Sequence, residues 1–478
     1  MPYKDIQHFM KYLEDRNQLK RIKAEVSPIL EITEIADRVV KKRGPALLFE
    51  KVKGSPYPLL INAFGSYRRM SMAVGADKLD DIGKDIQDLI DFSNYRTMLD
   101  KVKSIPRLAR LLTVFPIKVK KAPCQEVIEE PDLSKLPILK CWPDDGGRFI
   151  TLPLVFTKDP ETGQQNIGMY RLQVYDKTTT GMHWHLHKDG REIYEKYRKR
   201  GGKMPVTVVI GCDPATVYAA TAPLPKMIDE LMFAGYLRRL PVPIVKSVTN
   251  DIYIPANSEF VLEGYVDTEE LRMEGPFGDH TGYYSEKDMY PVFHITKMTR
   301  KEKPVFMATI VGRPPMEDCY MGKATERLFL PLLKMIAPEI VDMNFPLEGV
   351  FHNCVIVSIQ KKYPSHAKKI LNTLWGNGQM MYTKMIIVVD AEVNPHDIST
   401  VAWKVFNNID AKRDLIISEG PLDALDHSSP LHLIGNRLGI DATKKWASEG
   451  YEREWPDDIV MSDKVKEKVD KRWKEYGI

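Results

Sequence analysis

Two carboxylates, Glu274 and Asp279, stand five positions apart across Gly-Pro-Phe-Gly in the stretch EGPFGDHTGYYS, residues 274–285. Glycine and proline at that density break helices and strands, so the stretch reads as a tight loop able to aim both acids into one small volume. Taken alone, it fits a surface turn with two solvated acids equally well. In TGMHWHLHKDG, His183, His185 and His187 alternate and would project from one face of a strand. That spacing suits zinc and a metal-dependent hydrolase; a row of surface or cross-strand histidines is the plain alternative.

Upstream, NIGMYRLQV carries Asn166 and Arg171 with opposite strand parity. A bulge or turn near Ile167–Met169 is needed to bring both to one site. Asn166 also reads as a turn residue, whereas Arg171 is out of place among apolar neighbours. ATAPLPKMIDE joins a proline-stiffened loop to Glu230 at a helix start. Its prolines remove N–H donors, leaving carbonyls such as those of Ala220 and Ala222 free for a hard cation. Glu230 at that position is equally explained by the helix dipole. No GxGxxG follows a strand, and GxxxxGK[ST], GxSxG and HExxH are absent, so dinucleotide, ATP and serine-hydrolase sites have no support.

The elements that must position these residues fall into three textures. Residues 4–22 repeat apolar positions at helical spacing, EITEIADRVVKK reads as a second helix, and GPALLFEKV and YPLLINAFG read as buried strands. This alternation predicts an N-terminal α/β domain over 1–115. Helical character continues in DDIGKDIQDLI and KVKSIPRLARLLTVFP, and the Pro116 region is a plausible boundary. From 116 to 312, short β-branched stretches such as MPVTVVIG, SEFVLEGYV and YPVFHITKMT predict a mostly antiparallel sheet or barrel, interrupted by one helix at KMIDELMFAGYLRR. Residues 313–478 return to alternation, with helices at ATERLFLPLLKMI and SHAKKILNTLWG and strands at NCVIVSIQ and KMIIVVD. The final charged helix carries a Val465–Val469–Trp473 stripe that needs a docking surface, most simply a partner subunit.

Bulk numbers narrow the class. The 478 residues exceed one simple core, and 43% hydrophobic with 28% charged is ordinary for a globular protein. Lysine plus arginine (69) nearly balance aspartate plus glutamate (65), so nucleic-acid binding is disfavoured. Five scattered cysteines without a CxxC predict free thiols in a reducing compartment. A charged N-terminus and the lack of a long apolar run predict a cytoplasmic protein with no integral membrane segment.

In this order the pieces resemble the UbiD family of reversible decarboxylases that use prenylated FMN. The resemblance runs through LKRIKAEVSPILEITEIADRV, NIGMYRLQV, PLPKMIDE, NDIYIPANSEFVLEG, EGPFGDHTGYYS, VGRPPMED and RLGIDATKKW. CWPDDGGRFITLPLVFTKDPETG and GMYRLQVYDKTTTGMHWHLHKDG are most similar to its menaquinone-biosynthesis branch.

The resemblance implies a mixed α+β fold whose 116–312 segment is a central split β-barrel, flavin-reductase-like and cofactor-binding. An α/β domain flanks it on each side, and the terminal helix serves oligomerisation. It also implies a metal triad of Asn166, His187 and Glu230 holding Mn2+ (or Mg2+) to the cofactor phosphate, with K+ nearby on backbone carbonyls. An oxygen and nitrogen ligand set of this kind suits manganese better than zinc. Prenylated FMN is expected along Asn166, Ile167, Gly168, Met169, Tyr170, Arg171 and His187, along Ala220, Thr221, Ala222, Pro223 and Glu230, and at Lys384.

The implied catalytic residues are Arg171, Glu274 and Asp279, with Asp279 as proton donor. Two acids close together in a dry cleft should repel, raising the pKa of the pair. Some family members carry glutamate where this chain has Asp279, so the shorter side chain needs help from nearby backbone, water or a substrate group. The implied reaction is loss of CO2 from a small aromatic carboxylic acid, foremost 1,4-dihydroxy-6-naphthoate in menaquinone biosynthesis. A hydroxybenzoate decarboxylation or an anaerobic aromatic carboxylation is the alternative. Implied partners are a flavin prenyltransferase of the UbiX type and further copies of the chain, as a homodimer or larger homo-oligomer. Outside this chemistry stand the histidine-row hydrolase and a non-catalytic cofactor carrier, which would have no use for Asp279.

Overall fold

The computed structural model describes residues 3–90, 114–185, 188–224 and 228–478. The first helix, Ile6–Glu14, starts where Asp5 accepts the His8 N–H at 2.8 Å and buries Ile6, Phe9, Met10 and Leu13. It is shorter than the 4–22 periodicity predicts. Asn17 turns the chain with φ at 54°, and Leu19–Val26 runs on as a strand. This strand lies parallel to Ala46–Val52, which pairs antiparallel with Leu59–Ile61. The sheet's fourth strand, Phe306–Met307, arrives from far along the chain and runs parallel to Leu59–Ile61. Helices Glu31–Lys41 and Leu79–Ile90 match the sequence reading. Most of KVKSIPRLARLLTVFP lies outside the described residues.

The middle of the chain forms an antiparallel sheet of seven strands among the described residues. Its order is Thr179–Gly181, Asp288–Arg300, Phe260–Glu274, Lys203–Ile210, Pro153–Lys158 and Gln165–Met169, with Val127–Glu129 also pairing with Asp288–Arg300. Val208 sits between Leu262 and Val155, and these three, with Leu154, Phe156 and Phe260, are fully buried. The central split β-barrel is therefore not what forms, because the sheet is open. Its two ends, Gln165–Met169 and Thr179–Gly181, do not pair with each other. After Met169 the chain leaves the sheet at Tyr170 and Arg171. It re-forms as Leu172–Gln173 against Phe149–Ile150, in a separate two-stranded sheet. The protein is a mixed α/β fold with several sheets.

Toward the C-terminus, five strands run in the order Ile340–Asn344, Cys354–Ile359, Met385–Asp390, Ile434–Asp441 and Leu415–Pro421. The central three are parallel, with helix His366–Trp375 on the Leu371–Trp375 side of Gly439. Both strands read from NCVIVSIQ and KMIIVVD are present, and so is the long helix Glu317–Ile336. The last helix, Asp463–Arg472, has no buried residue, and Trp473 beyond it is half exposed. Among the described residues no helix is long and apolar enough to cross a membrane.

Candidate active site

Arg171 occupies the point where the chain leaves the open sheet. Its side chain is 8% exposed, and its guanidinium spans both acids of the 274–285 stretch. Nε and Nη2 donate to Glu274 at 2.9 and 3.3 Å, Nη1 donates to Asp279, and Nη2 also reaches Ser285 Oγ at 3.2 Å. The Phe277 ring covers the guanidinium, with its centroid 4.7 Å from Cζ. The excursion at Tyr170–Arg171, rather than a bulge inside Ile167–Met169, points this arginine off the edge strand, which stays regularly paired from Gln165 to Met169.

Glu274 is the last residue of the strand Phe260–Glu274, and the loop after it is held on all sides. Gly275 turns with φ at 94°, where a side chain would be strained. Its N–H donates to Gln173 Oε1 at 2.7 Å, and Gln173 Nε2 donates to the Gly146 carbonyl at 3.0 Å. Asp145 accepts the N–H groups of Cys141, Trp142 and Gly278 at 3.1, 2.8 and 2.8 Å. The Trp142 indole N–H donates to the Val311 carbonyl at 2.9 Å, and the ring fills the space beside Gly278 and Gly312. A Cβ at 278 would stand 2.2 Å from Trp142 Cδ1 and one at 312 would stand 2.8 Å from Cζ2. The loop returns as a small hairpin, with Asp279 N–H to Tyr283 O at 3.0 Å and Ser285 N–H to Phe277 O at 2.8 Å.

These contacts reverse the electrostatics expected from two adjacent acids. Burial alone would raise the Glu274 pKa, but bonds to His183 and the charge of Arg171 bring it down to about 2. Burial also works against the Asp279 carboxylate, yet Arg171 and His280 hold its pKa far below the ordinary range. The pair does not repel unscreened, because one guanidinium sits between the two acids. Both are ionised at neutral pH.

Of the histidine row, His183 and His185 share a side as the alternation predicts, while Trp184 is buried on the other. His183 Nδ1 meets Glu274 Oε2 at 2.9 Å, and its Nε2 contacts His185 Nε2. Burial lowers the pKa of both, that of His185 to about 3, so they stand as neutral rings behind the acid network. His187 lies outside the described residues. Among those described, the one group of three metal-capable side chains is instead His280, His352 and Asp423.

A second polar corner lies on the other side of Tyr170. Asn166 lies on the edge strand, and Glu230, at the start of helix Glu230–Arg238, adds its charge with that of Asp189 against ionisation of the Tyr170 hydroxyl. Asn166 Nδ2 is buried without a hydrogen-bond partner. Burial pushes the Glu230 carboxyl up to about 8, and Asp229 and Asp189 oppose its ionisation further. Backbone amides of Glu230 and Ile167 only partly offset this. No lysine or arginine among the described residues pairs with Glu230. An unpaired buried amide beside an acid short of positive charge fits a hard divalent cation. At the loop before this helix, the Ala222 carbonyl already accepts the Leu224 N–H at 2.8 Å, and Thr221 is tied to the Tyr218 carbonyl through both N–H and hydroxyl.

The segment carrying these residues, 117–314, matches the family model of the 3-octaprenyl-4-hydroxybenzoate carboxy-lyase Rift-related domain. Residues 10–87 and 319–442 match the N-terminal and C-terminal domains of the same carboxy-lyase. The chain belongs to the UbiD family of prenylated-FMN decarboxylases. This UbiD protein is accordingly a carboxy-lyase. It is 53% identical over 477 residues to an uncharacterized protein of Archaeoglobus fulgidus, covering 99% of each chain. An Aquifex aeolicus protein is 48% identical, with 100% of this chain and 99% of that one covered. Among solved structures, the closed form of the vanillic acid decarboxylase of Sedimentibacter hydroxybenzoicus aligns with a TM-score of 0.85 at 29% identity. That alignment covers 100% of this chain and 99% of that one. The UbiD-class enzyme HmfF of Pelotomaculum thermopropionicum, solved with FMN, aligns with a TM-score of 0.81 at 26% identity, covering 97% and 98%.

In this UbiD chain Lys384 does not join the acid network. Its Nζ pairs with Asp426 at 2.9 Å and with Ser428, on the loop that also carries Asp423. Four residues escaped the sequence reading. Ser285 and His280 lie inside the quoted loop, where a hydroxyl or an imidazole beside an acid has no distinguishing pattern. His352 and Asp423 come from distant segments and meet His280 only in the fold.

Proposed function

We propose that this UbiD carboxy-lyase removes CO2 from a small hydroxylated benzoate-type acid with prenylated FMN as cofactor. The observation that carries the reading is the Arg171 guanidinium clasped by Glu274 and Asp279, two residues after the edge strand that carries Asn166. Likeness over the full chain to a vanillic acid decarboxylase favours a benzoate over the naphthoate of the menaquinone route. Asn166 and Glu230, together with His187, would hold a divalent ion against the cofactor phosphate. When bound, prenylated FMN supplies the sink for the electron pair left by the departing CO2.

The chain's own side chains handle position and protons. Among the described residues, four of the five Arg171 N–H groups serve Glu274, Asp279 and Ser285, leaving one to hold a substrate carboxylate. Glu274, itself bonded to His183, keeps the guanidinium plane fixed, so the substrate is met by a preset fork rather than a mobile one. Asp279 is the group nearest this fork able to shuttle a proton. The proposal brings with it a UbiX-type flavin prenyltransferase as cofactor supplier and a homo-oligomer as the working form.

The test is co-expression with a flavin prenyltransferase, an absorbance spectrum of the purified protein, and CO2 release from hydroxybenzoates and naphthoates. Flavin-like absorbance with turnover on hydroxybenzoates is the expected result. Turnover confined to dihydroxynaphthoates would reverse the substrate choice. A colourless protein that hydrolyses esters or amides in the presence of zinc would overturn the whole reading.

A further inference from the structure

Asp279 has a supply problem. Its Oδ2 faces Arg171, and its Oδ1 accepts both the backbone N–H of His280 at 2.7 Å and His280 Nδ1 at 2.9 Å. It rests as an anion and stores no proton. Behind it, His280 Nε2 meets His352 Nε2 at 2.8 Å, and an Asp423 carboxylate oxygen lies within 4.8 Å of a nitrogen of each ring. Two imidazole nitrogens at that separation share one hydrogen, one ring donating and the other accepting. His280 is thus wired at one nitrogen to Asp279 and at the other to His352. These rings are contributed by the 274–285 loop and the turn before strand Cys354–Ile359, and Asp423 by the loop after strand Leu415–Pro421.

We infer that His280 is the proton reservoir of the decarboxylation, discharging from Nδ1 into Asp279 while its Nε2 hydrogen stays on His352 and the Asp423 charge favours the loaded ring. The inference rests on the proposed aromatic-acid decarboxylation.

The groups facing His280 are Asp279 on its own loop, His352 and the stacked Phe351 ring 5.0 Å away, Asp423, and Asp318 at the start of helix Glu317–Ile336. Burial opposes a charge on the ring, but the bond to Asp279 and the charges of Asp279, Asp423 and Asp318 outweigh it and raise its pKa. His352, buried beside it, is pushed down to about 4 and stays a neutral acceptor for the His280 Nε2 hydrogen.

The step balances without oxidant or reductant. The bond from ring carbon to carboxylate breaks, CO2 leaves, and the electron pair of that bond takes a proton from Asp279. Asp279 has just drawn this proton from His280 Nδ1. Neutral His280 keeps its Nε2 hydrogen and recovers the other at Nδ1 from water, by way of Asp279 once product has left, so the sum is aryl carboxylate plus H+ giving arene plus CO2. A shared cation at His280, His352 and Asp423 is the competing use of the trio. The hydrogen-bond separation of the two Nε2 atoms favours the relay.

His280 and His352 are positioning residues here, and two independent measurements test them. In the full-length protein without cofactor, with imidazole-15N-labelled histidines assigned by loss of signal in His280→Gln and His352→Gln, His280 should carry both protons at pH 7. Asp279→Asn should lower its midpoint by at least one pH unit. In the loaded enzyme, kcat should fall as pH rises through the His280 pKa, and His280→Gln should lose roughly 10²-fold in kcat with KM within threefold and that alkaline limb gone. His352→Gln should lose about tenfold with a larger solvent deuterium effect. A His280 that is neutral at pH 6, or wild-type kcat in His280→Gln, would overturn the inference. So would loss of one bound metal equivalent in His352→Gln. Failure of the wild type to release CO2 from any aromatic acid would instead sink the functional reading and leave the labelled-histidine result standing as its own measurement.

Discussion

Two regions served by the same stretch of chain, Asn166 to Arg171, treat the same functional group in opposite ways. Glu274 and Asp279 are buried against Arg171 and held as anions, with Glu274 at about 2. Glu230 is buried near Asp229 and Asp189, without a cationic side chain among the described residues, and rises to about 8. Burial has the same sign in both places; the supply of positive charge differs. The first region is electrostatically complete. The second is balanced only when a proton or a metal ion arrives, as expected of a site that receives its cation from outside the chain.

Arg171→Met should break the contrast most severely. It strips both acids of their partner, abolishes turnover and destabilises by roughly 3–5 kcal/mol, as removal of one member of a buried ion pair does. The orphaned acids would then behave as Glu230 does. Their pKa values rise, so the remaining stability is fullest below about pH 4.5 and drains away as pH climbs. Thermal unfolding of the variant should therefore be worse at pH 8 than at pH 5, and the opposite order would refute this account of the network.

Asp279→Asn keeps a hydrogen-bonding side chain of the same shape but removes the proton path. Turnover should drop by roughly 10²–10⁴-fold while the cofactor spectrum is retained. Undiminished turnover would exclude Asp279 as donor.

Metal addition sharpens the other half of the comparison. Mn2+ at about a hundredfold excess over its dissociation constant should stabilise the cofactor-free protein by about 2.7 kcal/mol. Glu230→Gln should erase that gain; an equal gain in the variant would place the cation elsewhere. The smallest effect is an acid limb. The Glu274 pKa is lower folded than unfolded, so its contribution is present above about pH 4.5 and lost as pH falls toward 2. Glu274→Gln should begin less stable at neutral pH and lose less across that window.

Much of the fold was legible because its strands and helices carry local patterns. The buried runs of MPVTVVIG and NCVIVSIQ and the helix from Glu31 are where periodicity puts them. That the sheet stays open rather than closing into the expected barrel was not legible, because closure depends on which edge pairs with which. The departure at Tyr170–Arg171 is dictated by acids a hundred residues away. The first helix was overextended because Leu19 and Ile22 continue the apolar rhythm after the chain has turned at Asn17. Within the site, Arg171, Glu274 and Asp279 do converge. The expected upward pull of one acid on the other fails because nothing in the local sequence says that the guanidinium lies between them. His352 and Asp423 carried no signal at all, since their neighbourhood exists only in three dimensions.

Trp142 has a mechanical consequence. Its indole is wedged between Gly278 and Gly312 and latched to Val311, so it works as a rivet through the acid-bearing loop and the segment that leads into helix Glu317–Ile336. Whittling that ring to a smaller one would leave every ionisable side chain in place and still loosen the frame that aims them. Tolerance toward bulkier substrates is therefore within reach of a change at a residue that never meets a proton.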